Sequence, residues 1–183
     1  RGVREIMTPS LVNGARSVAA KPEWEKHLVR LKNPLSAELD VLRPTMLFGA
    51  LAAMEHNINR QKRDLRFFER GRIYKTTEKG TVETDVLAIA FTGRRFGERW
   101  RADDRRTELM DVKEELEVLL GRLGLDRMSA WVPDEGQLLV GRHALTIKGR
   151  HAGWIGEVPS PQLKAAGVPQ PVFYAEIEEQ VLL

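Results

Sequence analysis

The sequence contains no cysteine, and this absence excludes several chemistries at once. Without thiols the chain has no disulfide framework, no cysteine nucleophile and no cysteine-ligated zinc site. A chain of this kind fits a cytoplasmic location, where disulfides are rare. No apolar run approaches the length of about 18 residues that a membrane-spanning helix requires. The sequence therefore predicts a soluble cytoplasmic protein.

The common catalytic motifs are absent as well. The chain has no glycine-rich phosphate loop, no H-E-x-x-H zinc motif and no G-x-S-x-G nucleophile elbow. Ser36 has no obvious base beside it, so a hydrogen bond at a helix entry is a simpler interpretation than a nucleophile. His143 and His151 lie on consecutive predicted strands, where two edge imidazoles are commoner than a metal-binding pair. The residues alone predict no catalytic, cofactor-binding or metal site.

What the sequence does contain is an ordinary globular composition with one basic segment. Its 183 residues, 42% hydrophobic and 30% charged, suit a single domain, residues 1–183. The formal net charge is only +3. Residues 94–106 hold six arginines against three acids, so this segment accounts for the whole excess.

Two interpretations of this arginine-rich segment remain open. Arginines interleaved with aromatic residues suit RNA, through phosphate contacts and base stacking. The possible tRNA contacts are Arg94, Arg95, Arg99, Trp100 and Arg101. The simpler alternative is a solvated loop in which Asp103 and Asp104 pair with the segment's own arginines.

Hydrophobic periodicity predicts three helices. The first runs from Pro44 to about Gln61, with a buried stripe of Leu47, Leu51, Met54 and Ile58. The second begins near Asp111, which would form a capping box with Glu114. Its buried face would comprise Val112, Leu116, Leu119 and Leu123, and Glu114, Glu115 and Glu117 would face solvent. A short third helix is expected over 161–166.

Strand patterns occupy much of the remaining chain. The predicted strands cover residues 3–12, 23–32, 65–75, 86–93, 127–132, 143–148, 151–157 and 172–178. The segments 65–75 and 86–93 are predicted to form a hairpin with Gly80 in its turn. The apolar run 86–91 predicts a strand at the centre of the sheet. Regular β-α-β alternation is missing. The elements therefore predict an α+β fold whose largely antiparallel sheet carries helices on one face.

Residues 31–74 resemble a known family. The segment "LKNPLSAELDVLRPTMLFGALAAMEHNINRQKRDLRFFERGRIY" is similar to the β subunit of bacterial phenylalanyl-tRNA synthetase. The matching positions are Asn33, Pro34, Leu35, Ser36, Leu42, Arg43, Asn57, Asn59, Phe68, Glu69, Gly71 and Tyr74. Further matches follow the family's order in "REIMTPSLVN", "FTGRRFGERW", "LMDVKEELEVLL" and "AGWIGEVPSPQL". Together they cover residues 4–178.

This resemblance implies a class II aminoacyl-tRNA synthetase-like antiparallel sheet flanked by helices. It implies that residues 1–183 form one catalytic-like core domain of a longer β subunit, with the editing and C-terminal anticodon-binding domains outside it. The family's enzyme is an α₂β₂ assembly that attaches phenylalanine to tRNA with ATP and Mg²⁺. Its active site lies on the α subunit, which would be the partner of this domain.

Departures from a working class II site imply that this domain is catalytically silent. Such a site places two arginines on the ATP phosphates, because the planar guanidinium matches phosphate oxygens. At the first place this chain has Lys75, and near its end "VFYAEIEEQVLL" offers neither glycine nor arginine. The resemblance thus implies no catalytic residue, metal or cofactor in this domain, with ATP and Mg²⁺ bound by the α subunit.

The residues around the first helix form an expected structural joint. We expect Asn33, Pro34 and Ser36 to shape a strand-to-helix corner, and Arg43 to tie it to backbone carbonyls or to Glu69. Glu69 lies between apolar residues of a strand, so it needs a partner if it is buried.

Overall fold

The computed structural model describes residues 2–36, 38–95 and 105–182, and its centre is a seven-stranded sheet. The strands are β1 (Arg4–Glu5), β2 (Leu11–Val12), β3 (Val29–Arg30), β4 (Val41–Leu42), β5 (Leu65–Thr77), β6 (Gly80–Thr92), β7 (Ser129–Pro133), β8 (Val140–Ile147), β9 (Arg150–Glu157) and β10 (Val172–Glu178). The helices are α1 (Gly14–Ala20), α2 (Leu47–Ile58), α3 (Leu109–Arg122) and α4 (Ser160–Ala165).

The large sheet has the order β1-β5-β6-β10-β9-β8-β7, and a small second sheet has the order β2-β4-β3. Every pair in the large sheet is antiparallel except β1 with β5. The predicted α+β class and antiparallel sheet are therefore confirmed. Among the described residues, no helix combines the length and apolar character needed to cross a bilayer.

Helices cover both faces of this sheet, so the expectation of one covered face is wrong. Side chains alternate along β6: Ala88 and Ala90 pack in the cluster that contains α2, whereas Ile89 and Phe91 pack in the cluster that contains α3. A strand buried on both faces loses the polar-apolar alternation that marks a one-sided sheet. The continuous apolar run of β6, between β5 and β10, is the visible result.

The long hairpin and the first large helix agree with the sequence prediction. β5 and β6 pair over 13 residues each, and Gly80 adopts φ +113° at the turn. The predicted stripe of α2 is buried throughout. The helix begins at Leu47, three residues after Pro44. The four C-terminal strands and α4 also lie close to their predicted positions.

The N-terminal predictions are only partly right. Residues 3–12 form β1 and β2 in two different sheets, because Pro9 between them has no N–H to continue a ladder. Residues 22–26 form a 3₁₀ helix that starts at Pro22, and only Val29–Arg30 of the predicted strand is extended. The helix α1 was not predicted, although Asn13 caps it by accepting a hydrogen bond from the Arg16 N–H at 2.7 Å.

The start of α3 lies earlier than expected. Glu108 is its cap, and Asp111 accepts a hydrogen bond from the Glu108 N–H at 2.7 Å. Leu120 completes the buried face with Val112 and Leu116, whereas Leu123 follows the last helical residue and is 47% exposed. The predicted solvated face is also wrong at one position. Glu115 is largely buried and pairs with Arg66 at 2.7 Å.

Candidate functional site

A polar cluster is buried where the chain enters α2 and crosses the central strands. Arg43 and Thr45 precede the helix, Glu69 lies on β5, and Tyr174 and Glu176 lie on β10. The exposed fractions of Arg43, Glu69 and Glu176 are 3%, 3% and 4%, and Tyr174 is fully buried. Charged groups at this depth need complete hydrogen bonding, because desolvation is otherwise too costly.

Arg43 and Glu69 form one half of this cluster. The Arg43 Nη1 lies 3.0 Å from the Glu69 Oε1, and its Nε donates to the Arg72 carbonyl at 2.8 Å. Thr8 completes the group, since its N–H and hydroxyl donate to Glu69 at 3.1 and 2.7 Å. Arg43 Nη1 also reaches the Thr8 carbonyl at 3.2 Å. The N-terminal segment, the helix entry and β5 therefore meet at one ion pair.

Gly71 leaves the space that Arg43 occupies. A Cβ added at Gly71 would collide with the Arg43 Nη2 and would press on the Met46 methyl group. The glycine is therefore required by the close approach of a guanidinium to the β5 backbone. This accounts physically for the pairing of Arg43 and Gly71 in the sequence pattern.

Glu176 forms the other half of the cluster. Its Oε2 accepts hydrogen bonds from the Tyr174 hydroxyl at 2.7 Å, the Thr45 hydroxyl at 2.9 Å and the Met46 N–H at 2.8 Å. Burial raises the pKa of Glu176 above its ordinary value, and the hydrogen bonds offset part of this rise. Burial, together with the charge of Glu176, also raises the pKa of Tyr174. One carboxylate oxygen thus fastens the start of α2 to β10.

Sequence reasoning missed Glu176 and Tyr174 as site residues. A signal was present, because a strand that is otherwise buried, "VFYAEIE", contains a carboxylate at its centre. Such a residue must have a buried partner. The partners lie about 130 residues away, at Thr45 and Met46, so sequence spacing could not reveal them.

The predicted joint residues are only partly brought together. Arg43 and Glu69 meet in the buried cluster, but Asn33, Pro34 and Ser36 lie on the exposed loop between β3 and β4. A hydrogen bond from the Leu31 N–H to the Asp40 carbonyl, 2.9 Å, closes this loop. Leu35 at its tip is fully exposed. The loop precedes the short strand β4, so it does not form the corner into α2.

Three of the four described arginines of this segment, Arg94, Arg95 and Arg105, pair with carboxylates. Arg94 pairs with Asp64, Nε to Oδ2 at 3.0 Å. Arg95 pairs with Asp111 at 3.0 Å and Glu114 at 2.7 Å. Burial acts to raise the pKa of Asp111. Hydrogen bonds from Arg105 and the Glu108 N–H, together with the positive charges of Arg105 and Arg95, outweigh this effect and lower the pKa. Three further predicted contacts, Arg99, Trp100 and Arg101, lie outside the described residues.

The two neighbouring histidines do not form a pair. In the β8–β9 ladder His143 lies opposite Ile155, and His151 lies opposite Thr146. Within the described ranges, no group of three or more histidine or carboxylate residues is arranged to hold a metal ion. Lys75 is exposed on the rim of an open cleft of about 910 Å³ that also includes Trp24 and Tyr74.

Comparison with known proteins places these features in a family. A family model described as the phenylalanyl tRNA synthetase beta chain CLM domain matches residues 1–178. The phenylalanine–tRNA ligase beta subunit of Bacteroides fragilis is 34% identical over 194 residues, covering 100% of this chain and 24% of the relative. The corresponding subunit of Burkholderia lata is 30% identical, covering 88% and 22%. The chain thus spans about a quarter of the length of these curated relatives.

A solved structure shows the same fold at low sequence identity. The pyrrolysyl tRNA synthetase PylSc of Desulfitobacterium hafniense superposes with a TM-score of 0.70 and 15% identity. The superposition covers 99% of this chain and 62% of that one. The expected class II synthetase-like sheet flanked by helices is therefore confirmed as a fold.

Proposed function

This chain belongs to the phenylalanyl tRNA synthetase beta chain CLM domain family, and from that premise we propose that it is an architectural core without catalytic activity. In this proposal residues 1–183 are one domain of a longer β subunit that carries the editing and anticodon-binding domains elsewhere. The α subunit of an α₂β₂ phenylalanine–tRNA ligase performs ATP-dependent charging of tRNA in the cytoplasm.

The buried polar cluster is the observation that carries this proposal. Arg43, Glu69, Tyr174 and Glu176 occupy the sheet beneath the start of α2, and their polar atoms bond to one another and to the backbone. Polar groups whose hydrogen bonds are all made within the fold hold its strands and helices in register, and they are unavailable to a substrate. The cluster therefore suits a joint in the scaffold.

The residues present do not fit ATP at the positions that the family resemblance indicates. Lys75 is a single exposed ammonium group, which binds phosphate as a point charge without the fork of arginine. The buried acid on β10 is Glu176, a carboxylate that would repel a triphosphate. No ATP or Mg²⁺ step is assigned to this chain, and both belong in the proposal to the α subunit.

Two exposed apolar side chains favour a protein partner. Met7 is 94% exposed directly beside Thr8, which holds Glu69, and Leu35 is fully exposed on the loop between β3 and β4. An assembly that covers these two side chains would remove their apolar surface from water, which favours association. We propose that these two residues contact the α subunit.

Sedimentation of this chain, alone and mixed with the α subunit of the same enzyme, tests the architectural proposal. A heavier complex of fixed stoichiometry is expected at micromolar concentration. The variant M7S/L35S should weaken it at least tenfold. Its matched control is M128S/V132S, which removes two half-exposed apolar side chains, one just before β7 and one on it. If no complex forms with the full-length β subunit either, the proposed partnership is wrong.

Contact with tRNA through residues 94–106 remains the second candidate function. The exposed guanidinium of Arg106 favours it, whereas the ion pairs of Arg94 and Arg95 oppose it. Filter binding of tRNA at several salt concentrations separates the two cases. A true contact gives an affinity that falls steeply with salt and drops further in the variant R99A/R101A. A solvated loop gives the same weak binding in both proteins.

A further inference from the structure

A cleft of about 360 Å³ opens at one end of the large sheet, away from the buried cluster. Its walls come from the turn before β5, the end of β6, the end of β9 and the residues before β10. The lining residues are Arg63, Asp64, Gly93, Arg94, Arg106, Thr107, Glu157, Gln170, Pro171 and Phe173. This volume falls in the usual range of small-ligand sites, about 300–1,000 Å³.

The cleft is cationic at its rim. Arg63 and Arg106 are exposed, and neither has an ion-pair partner within the described part of the chain. The third arginine, Arg94, is bound to Asp64 by its backbone N–H at 2.8 Å and its Nε at 3.0 Å, so that carboxylate is neutralised. Glu157 is the remaining acid. Among the described residues, the lining therefore holds two arginines without an ion-pair partner and one such carboxylate, Glu157.

Among the described residues, one lining residue of the cleft carries a buried hydroxyl with no hydrogen-bond partner. Thr107 is 6% exposed, and its Oγ1 has no hydrogen-bond partner among the described residues. A buried polar atom left in this state destabilises the folded protein. Its backbone is firmly placed, since the Thr107 N–H donates to the Gly93 carbonyl at 2.9 Å. The backbone of Thr107, which lines the cleft, is therefore fixed, while its buried Oγ1 is closed off from the cleft.

Gln170 fixes the opposite wall. Its Nε2 donates to the Arg63 carbonyl at 2.7 Å and to the Thr92 hydroxyl at 2.8 Å. The segment that carries Arg63 is therefore held against the start of β10. Pro171 and Phe173 add an apolar surface on this side. A wall built in this way keeps its shape without a ligand, which lowers the entropic cost of binding.

We propose that this cleft binds the phosphate group of a nucleotide. Arg63 and Arg106 pair with the phosphate oxygens from the rim. Pro171 and Phe173 contact the base, and Glu157 accepts hydrogen bonds from the ribose hydroxyls. The phosphate belongs either to a free mononucleotide or to the backbone of an RNA. This inference rests on the cleft alone and does not depend on the architectural role.

Isothermal titration of this chain with 5′-UMP, uridine and inorganic phosphate at low salt tests the proposal. Saturable binding of UMP is expected, with weaker binding of phosphate and none of uridine. The variant R63Q/R106Q should weaken UMP binding at least tenfold. The control R127Q/R150Q removes two exposed arginines outside the cleft and should bind like the parent protein. Circular dichroism verifies that both variants are folded.

The Thr107→Val variant separates binding from folding. Without ligand it should melt at a higher temperature than the parent, because a buried hydroxyl with no partner among the described residues is removed. It should bind UMP like the parent, because that hydroxyl is closed off from the cleft. Displacement of UMP by tRNA would assign the phosphate to RNA, and its absence would assign the site to free nucleotides. Equal affinity for UMP and uridine, equal affinity in R63Q/R106Q, or no binding of UMP, phosphate or tRNA would overturn the proposal.

Discussion

The buried cluster and the cleft use the same side-chain chemistry at two depths. Beneath α2, Arg43 is 3% exposed and all its contacts are internal. At the end of the sheet, Arg63 and Arg106 are exposed and face a cavity. Burial requires every charged atom to be paired within the fold, whereas the surface allows a guanidinium to remain available. Depth, more than residue type, therefore separates an architectural arginine from a binding one.

The threonines of the two regions repeat this contrast. Thr45 is buried and donates to Glu176 at 2.9 Å. Thr107 is buried to nearly the same extent, yet its hydroxyl has no partner among the described residues. A hydroxyl that is satisfied stabilises the fold, and one that is not destabilises it. Substitutions in the two regions should consequently differ in sign as well as size.

The largest effect is expected from Arg43→Met. The change leaves Glu69 buried without its cation, and breaking a buried pair in this way costs about 3–5 kcal/mol of unfolding free energy. Urea denaturation followed by circular dichroism measures the loss. Arg72→Met, which removes an exposed arginine with two surface partners, should change stability little. If the two variants unfold at the same urea concentration, burial does not make Arg43 more important for stability than Arg72.

A double variant sharpens this test. Adding Glu69→Gln to Arg43→Met removes the orphaned charge, so part of the lost stability should return. The two residues are in direct contact, 3.0 Å apart, so their effects should not add. Simple additivity would show that Glu69 draws its stabilisation from Thr8 alone.

Glu176→Ala is expected to have the next largest effect. It leaves the Tyr174 hydroxyl, the Thr45 hydroxyl and the Met46 N–H without their common acceptor, at a cost of about 2–3 kcal/mol. Glu176→Gln keeps an acceptor of the same shape and should lose less. Thermal unfolding of both variants at pH 7 gives the order, and an equal loss in both would argue against the hydrogen-bonding role.

Glu176 also predicts a pH dependence. Its pKa is raised in the folded state above the ordinary value of 4.5, so the folded protein binds this proton more tightly than the unfolded chain does. Its contribution to stability is fully present below the unfolded value and is lost as pH rises through the raised folded pKa. The Glu176→Gln variant should lack this pH-dependent contribution when the unfolding free energy is measured from pH values below 4.5 to values above the raised pKa of Glu176.

Asp111→Asn should have an intermediate effect, because Asp111 is buried but its partners are partly exposed. The carboxylate accepts from Arg105 at 2.7 Å and lies 3.0 Å from Arg95. Losing these charge-assisted bonds should cost about 1.5 kcal/mol. Since the folded pKa of Asp111 is lowered, its contribution is present above its unfolded pKa and is lost as pH falls through the folded value. The exposed Glu117→Gln is the control in acid titrations of unfolding.

The smallest effects should come from the matched pair Thr45→Val and Thr107→Val. Thr45→Val should lower the unfolding free energy by about 1 kcal/mol, because it removes a donor to Glu176. Thr107→Val should raise it by about the same amount, because it removes a buried hydroxyl that has no partner among the described residues. Differential scanning calorimetry resolves the two signs. A loss of stability in Thr107→Val would mean that its hydroxyl is satisfied.

Much of the fold could be predicted from local patterns. The stripe of Leu47, Leu51 and Met54 gave the buried face of α2, and the apolar run 86–91 gave a central strand. Both signals depend on side-chain periodicity within one element. The N-terminal elements were predicted wrongly, because two-residue strands are too short to show a period. Their conformation depends on contacts with β5 and β4.

For the site, the sequence by itself determined that an Arg43–Glu69 contact was possible and that Glu69 would need a partner if buried. Only the tertiary structure decided that Glu176 joins them, that the loop with Asn33 stands apart, and that Arg63 and Arg106 line one cleft. These arrangements bring together segments from 26 to about 130 residues apart. Periodicity reports which face of an element is buried, but partners across such distances are chosen only when whole elements pack.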